Sequence, residues 1–134
     1  MFDYLPDGEQ AFIDKLARDH PDLTIGTREP AAPTTGWVRL FRSTGDDRLR
    51  GVTGTETYVI ESWHKNRESV AATTAMNVRA SILAWGFNRG HTLTDGGHTA
   101  LIRATAATMP VNLPDPDGRT RYTFNANLTL RHPS

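Results

Sequence analysis

The fold is decided near the C-terminus, where residues 121–131 read RYTFNANLTLR. Along this stretch apolar and polar side chains alternate almost without error. A period of two residues is typical of a strand that buries one face and presents the other to solvent. The sequence therefore predicts a long closing strand in a one-sided sheet, whose buried face carries Tyr122, Phe124, Ala126, Leu128 and Leu130.

Two upstream segments show the spacing of helices. Asp7 followed by Gln10 is a capping-box pattern, and it predicts a first helix over Gly8–Asp19. The second and longest helix is predicted over residues 67–87, with Asn66 as its N-cap. Its apolar positions recur at intervals of three and four residues, which indicates one buried face. That face is made of Ala71, Ala75, Val78, Ile82 and Trp85.

Shorter strands are predicted between these elements, over residues 23–25, 37–41, 56–63 and 100–107. Hairpin connections and interspersed helices are typical of the α+β class. We therefore expect a single small domain over residues 1–134, with a mixed, mostly antiparallel sheet and two main helices packed on one side. Residues 45–56 are rich in Gly, Thr and charge, and they are predicted to be a flexible charged loop or the tip of a hairpin.

Composition restricts the function class. The chain has 134 residues, no cysteine, and a formal net charge of zero. A balanced charge argues against a free-standing nucleic-acid binder, and the lack of cysteine excludes disulfides and thiolate metal sites. No apolar run has the length of a membrane span, and the acidic N-terminus does not resemble a signal peptide. We expect a protein made and kept in the cytosol.

Catalytic and metal-binding chemistry has weak sequence support. His91, Asp95 and His98, with His64 as a further partner, are a loose zinc-ligand pattern in a turn that contains two glycines. The sequence favours a solvated polar turn over residues 91–98, and no metal or cofactor is expected. Ser62 near His64 is not a nucleophile–base pair, because alternate strand residues do not touch along the strand.

In its order of elements the chain resembles the tail terminator proteins of long-tailed, siphovirus-type phages of actinobacteria. The resemblance covers nearly the whole chain, and its closing run is the most distinctive part. It contains no catalytic motif. The stretches that carry it are WVRLF at 37–41, TYVIESW at 57–63, VRA at 78–80, LPDPDG at 113–118, RYTF at 121–124 and LTLR at 128–131.

The resemblance implies a virion protein without enzymatic activity, assembled in the host cytoplasm. Such a protein forms a homo-oligomeric, hexameric ring on the tail tube, stops its growth and meets a head-completion or neck protein. DNA passes through the lumen without sequence-specific binding, and no membrane is involved. Charge and exposure favour two contact regions with the tube or a neighbouring subunit: Asp46, Asp47, Arg48 and Arg50, and then Asp115, Asp117, Arg119 and Arg121.

Two alternatives stay open. The nearer one is another head–tail connector of similar size, whose partner would be a portal or adaptor protein rather than the tube protein. The farther one is a small metal-dependent enzyme that uses His64, His91, Asp95 and His98.

Overall fold

The computed structural model describes residues 8–28, 36–45, 53–88, 90–95, 98–113, 115–116 and 118–131. Within these ranges the chain forms two helices and seven strands around one core. In chain order they are α1 (Gly8–Asp19), β1 (Thr24–Gly26), β2 (Trp37–Gly45), β3 (Thr53–His64), α2 (Glu68–Phe87), β4 (Thr92–Asp95), β5 (His98–Ala107), β6 (Val111–Asn112) and β7 (Thr120–Arg131).

The strands form one mixed sheet in the order β1-β2-β3-β7-β5-β4, and β6 also pairs with β7. Only the β1–β2 pair is parallel among the pairs of the described strands. At the centre β3 and β7, each 12 residues long, run antiparallel from the pair Thr53–Arg131 to the pair His64–Thr120. The expected α+β class, with a mostly antiparallel sheet, is confirmed.

The alternation of the closing strand sets the two faces of this sheet. Phe124 and Leu128 are buried, whereas Asn125 and Asn127 are exposed. Directly opposed residues of antiparallel strands share a face, so Ile60, which pairs with Phe124, lies on the same buried side. The core therefore covers one face of the sheet, as the sequence predicts.

Both helices pack on this buried face. Phe12 of α1 contacts the ring of Tyr58 edge-on, with a centroid distance of 4.7 Å, and the ring of Trp85 at 5.4 Å. The Trp85 indole N–H donates to Asp19 Oδ2 at 2.8 Å, and His20 Nε2 lies 2.8 Å from Ser81 Oγ. The predicted bounds of α1 and the predicted buried face of α2 are confirmed, and Thr74 joins that face.

The sheet curls around α1. This helix contacts β1 and β2 near one end of the strand order and β4 at the other. An open, flat sheet keeps its first and last strands apart, so contact of one helix with both requires curvature. No helix in the described part of the chain has the length and apolar character needed to cross a membrane.

At the C-terminal end of α2, the helix lies directly on the backbone of β5. A Cβ atom added to Gly86 would come within 2.5 Å of the backbone nitrogen of Thr105. The Thr105 hydroxyl in turn donates to the carbonyl oxygen of Leu83 at 3.4 Å. Glycine is required here because no larger residue allows so close an approach.

Three details of the sequence prediction are corrected. The N-cap of α2 is Arg67, not Asn66, and its side chain makes no capping hydrogen bond. The predicted polar turn over residues 91–98 is wrong, because β4 and β5 pair there as a hairpin that buries Leu93. A single apolar residue between two threonines is enough to define a strand when its side chain reaches the core.

The third correction concerns only the bounds of the segment over residues 45–56, which is predicted to be a flexible loop or the tip of a hairpin. Strand β2 continues to Gly45 and β3 begins at Thr53, so both ends of the predicted loop belong to a long hairpin. Glu56 is fully buried and accepts from Arg42 Nη1 at 2.8 Å. Alternating threonines at 53, 55 and 57 favour a strand, because β-branched side chains fit a pleated surface.

Candidate interaction surface

The face of the sheet that points away from the helices carries a cluster of charged and aromatic side chains, which we call the Trp63 cluster. Strand register creates it, because Arg39 of β2 is paired with Glu61 of β3, and Trp63 of β3 is paired with Arg121 of β7. Arg119, just before β7, completes it. Side chains two residues apart on β3 point to the same face, so Glu61 and Trp63 meet all three arginines there.

Glu61 is the anionic centre of the Trp63 cluster. Its side chain is largely buried, and Arg39 Nη1 lies 3.0 Å from its Oε1 atom. Arg121 Nη1 lies 3.8 Å from the other carboxylate oxygen. A buried carboxylate is stabilised only when opposite charges compensate its lost hydration, and here two guanidinium groups do so.

Trp63 lies between two cations. The guanidinium carbons of Arg119 and Arg121 are 4.7 Å and 4.9 Å from its ring centroid. This is within the range of an attractive cation–π interaction, which is strengthened by desolvation. Trp63 is only 1% exposed, and within the described residues its indole N–H has no hydrogen-bond partner.

The turn before β7 is fixed to the sheet by the same arginines. Arg119 Nε donates to Asp115 Oδ2 at 2.9 Å, and Arg121 Nε donates to the carbonyl oxygen of Leu113 at 2.9 Å. Gly118 has a φ of +86°, a left-handed conformation that favours glycine. Asp115, Arg119 and Arg121 of the predicted contact region are therefore each bonded within the described fold.

The structure brings together three of the eight residues predicted to form contacts. Asp115, Arg119 and Arg121 are neighbours around Trp63, and the two arginines already engage the carboxylates of Asp115 and Glu61. Their role at an interface stays a prediction. The remaining predicted residues, Asp46, Asp47, Arg48, Arg50 and Asp117, lie outside the described residues.

Ser62 and His64, the pair considered as a nucleophile and a base, form hydrogen bonds with the backbone at the start of α2. His64 Nδ1 accepts the backbone N–H groups of Asn66 at 3.2 Å and Arg67 at 2.9 Å. Ser62 Oγ donates to the carbonyl oxygen of Ala71 at 2.8 Å. Both side chains thus join the end of β3 to the start of α2.

The side chains of Asp95 and His98 in the histidine turn lie outside the described part of the structure. Among the described residues, no group of three or more His, Asp or Glu side chains is close enough to hold a metal ion. His91 precedes β4, and its carbonyl oxygen accepts from the backbone N–H of Ile102. Asp95 and His98 are backbone partners at the end of the hairpin.

Large apolar side chains are exposed in two regions of the surface. Phe87, at the end of α2, is 88% exposed, and Met76 on the same helix is 43% exposed. Met109, Val111 and Leu113, on the segment that joins β5 to β7, are also exposed. Contiguous exposed apolar patches mark surfaces that bind other molecules, and these side chains are candidates for such a surface.

Sequence reasoning missed the Trp63 cluster and the exposed side of α2. Alternation along β3 indicates that Glu61 and Trp63 share a face. It does not show that Arg39 and Arg121 lie opposite them, because register depends on the whole strand pairing. The sequence of α2 also shows a second apolar stripe on the exposed side of the helix. The prediction of a single buried face did not take this stripe into account.

Comparison with known proteins does not identify the chain. No protein-family model matches the sequence, and no curated protein matches it either.

Proposed function

We propose that this chain is a structural protein of a phage tail. In this proposal copies of it form a ring, expected to be hexameric, that caps the tail tube and stops its polymerisation. The ring also provides the surface on which a head-completion or neck protein binds, and DNA passes through it without sequence-specific contacts. The order of elements that resembles tail terminators is the starting point of the proposal.

The observation that carries the proposal is the combination of a tightly fixed sheet with exposed apolar side chains. The 12-residue pair β3–β7 forms the centre, and the turn before β7 is held by Arg119 and Arg121. Phe87 and Met109 are nevertheless exposed by 88% and 59%. A rigid domain with uncovered apolar side chains is what a subunit of a larger assembly requires.

The use of polar side chains also favours a structural role. Ser62 and His64, the nearest approach to a nucleophile and a base, are bound to the backbone around the start of α2. The arginines of the Trp63 cluster are engaged by carboxylates and by an indole ring.

The test is the length of tails in particles made without this chain, measured by electron microscopy of the infected-cell lysate. Overlong tubes without heads are the expected result, because tube growth would lose its stop. Tails of normal length that fail to join heads would replace the proposal with a neck protein. Complete virions of normal length would exclude a structural role in the tail.

A matched control comes from expression of the chain in trans. The wild-type chain should restore normal tail length in the same infected cells. A chain with Met109→Asp, which alters an exposed side chain without touching the core, separates loss of a contact from loss of the fold. Normal amounts of folded variant with overlong tails would assign a contact to that surface.

A further inference from the structure

The outer face of α2 has no formal charge. We use this name for the side of the helix that points away from the sheet. The only charged residues of the helix, Glu68 and Arg79, are turned toward its flank. Glu68 accepts from Tyr122 and Asn112, and Arg79 donates to the carbonyl oxygens of Ala107 and Thr108. The outer face itself consists of Ser69, Thr73, Met76, Asn77, Ala80, Leu83, Ala84 and Phe87.

A solvent-facing helix normally carries charge on the side opposite its buried stripe. A helix that is apolar all around is normally buried on all sides. On this helix Met76, Ala80, Leu83 and Phe87 form a second stripe at spacings of four, three and four residues. The second stripe indicates that another molecule covers the outer face.

This face carries a projection at one end and a hollow at the other. The projection is Phe87, which is 88% exposed. The hollow has a volume of about 280 Å³ and lies at the edge of this face, lined by Ser69 and Thr73 of the outer face and by Val70 and Thr74 of the adjoining flank. Phe87 and Thr73 are separated by 14 residues, or about 21 Å along a helix at 1.5 Å per residue.

Ala80 lies midway between the projection and the hollow. Two copies of α2 packed antiparallel with a two-fold axis beside Ala80 place Phe87 of each copy opposite Thr73 of the other. The same operation places Met76 opposite Ala84, which lines a wider groove of about 640 Å³ with Leu83 and Thr105. Phe87 and Met76 thus each meet a smaller side chain, in both directions at once.

The chemistry of the face favours a second copy over a charged partner. A two-fold contact brings identical surfaces together, so each charge on it would lie near its own duplicate. The outer face of α2 avoids that repulsion because it has no charge. Its small residues Thr73, Ala80 and Ala84 also allow two helix backbones to approach closely.

We propose that two copies of this chain bind each other through the outer faces of α2, antiparallel about Ala80, with each Phe87 ring in the hollow lined by Ser69 and Thr73 of the other copy. This inference draws on the same exposed Phe87 side chain as the proposed function, but it does not require a role in the tail. A two-fold contact closes on itself and does not build a ring, so it describes the protein before it joins a larger assembly.

The first experiment is sedimentation equilibrium of the full chain over a wide concentration range. A dimer is expected for the wild type and a monomer for Phe87→Asp, which would force a carboxylate into the hollow. Thr73→Trp fills the hollow with an indole ring, so it should also convert the dimer to a monomer. Met109→Asp is the matched control, since it adds a charge at an exposed apolar residue outside α2, and it should stay dimeric.

Circular dichroism of each variant establishes that the fold is retained. A wild type that stays monomeric at all concentrations would overturn the proposal. A dimer that neither Phe87→Asp nor Thr73→Trp weakens would also overturn it, because the contact would then lie elsewhere.

The second experiment tests the two-fold geometry, using the absence of cysteine from the chain. A disulfide requires Cα atoms within about 7 Å, which an antiparallel contact provides for two copies of the same residue only near its axis. Ala80→Cys should therefore form a disulfide-linked dimer under mild oxidation, and Met109→Cys should not. Equal amounts of Thr73→Cys and Phe87→Cys, mixed, should cross-link more than either does alone. A dimer in which Ala80→Cys fails to cross-link would exclude the antiparallel arrangement.

Discussion

His64 Nδ1 lies 2.9 Å from the backbone nitrogen of Arg67, so the last residue of β3 holds the entry into α2. The same ring nitrogen accepts from the backbone N–H of Asn66. These two donors precede the first helical turn and have no partner within the helix. A side chain at the end of β3 thus fixes the two residues that lead into the helix, whereas the cap residue Arg67 makes no side-chain capping bond.

Replacing His64 with Ala should destabilise the fold. The change leaves two backbone N–H groups without their acceptor, at a cost of roughly 1–3 kcal/mol. Asn66→Ala is the control, and as an exposed substitution it should change the free energy of unfolding by no more than about 0.5 kcal/mol. Urea unfolding of both variants measures the difference. Equal losses would mean that Asn66 contributes to the cap after all.

In the Trp63 cluster, Glu61 should contribute more to stability than Arg39. Arg39→Ala leaves Glu61 with Arg121, whereas Glu61→Ala removes the carboxylate that both arginines contact. We expect Glu61→Ala to cost roughly 1–3 kcal/mol, the range for loss of a buried, charged hydrogen-bond partner, and Arg39→Ala to cost less. A double-mutant cycle by denaturant unfolding measures the coupling. Additive effects would show that the 3.0 Å ion pair adds no stability.

The contact of Gly86 with Thr105 predicts an unusual glycine-to-alanine effect. In a helix this change normally stabilises, because alanine has the higher helix propensity. At Gly86 the added methyl group would overlap the backbone nitrogen of Thr105, and overpacking costs about 1–3 kcal/mol. Gly26→Ala is the control, because a Cβ there meets nothing within 4 Å. Thermal unfolding should show a lower midpoint for Gly86→Ala alone, and a higher midpoint would disprove the close contact.

Tyr122 should ionise at a higher pH than an ordinary tyrosine. Its hydroxyl donates to Glu68 Oε1 at 2.7 Å, and this hydrogen bond, with some desolvation and the nearby negative charge, raises the pKa of Tyr122 above 10.0. The raised pKa stabilises the folded state below pH 10, and this stabilisation is lost as the pH rises through the folded-state pKa. Absorbance titration of the wild type and of Glu68→Gln should show a lower pKa in the variant, with Tyr122→Phe identifying the signal. An unchanged titration curve would contradict the hydrogen bond.

The elements that depend on local periodicity could be predicted from the sequence. The bounds of α1, the buried face of α2 and the two faces of β7 follow from spacings of three, four and two residues, because burial of one side is a local pattern. The hairpin of β4 and β5 was missed since its polar residues obscured the single buried Leu93.

Features that depend on distant parts of the chain could not be predicted. The meeting of Arg39 and Arg121 at Glu61 follows from strand register. Register is set by the whole sheet and leaves no short-range signal. The lack of charge on the outer face of α2 could be predicted from the sequence. The hollow near Thr73 could not, because its shape depends on how the neighbouring side chains pack.

The position of β7 has a consequence for how the chain folds. β7 is the direct partner of β3, β5 and β6, although its residues follow all of theirs in the chain. At its midpoint the central pairing joins Tyr58 with Ala126 and Val59 with Asn125, which are 68 and 66 positions apart in the chain. Closing such long loops is entropically costly and slows folding. During synthesis the strands that await β7 have no central partner, so their edges are unprotected and exposed to aggregation until β7 is made.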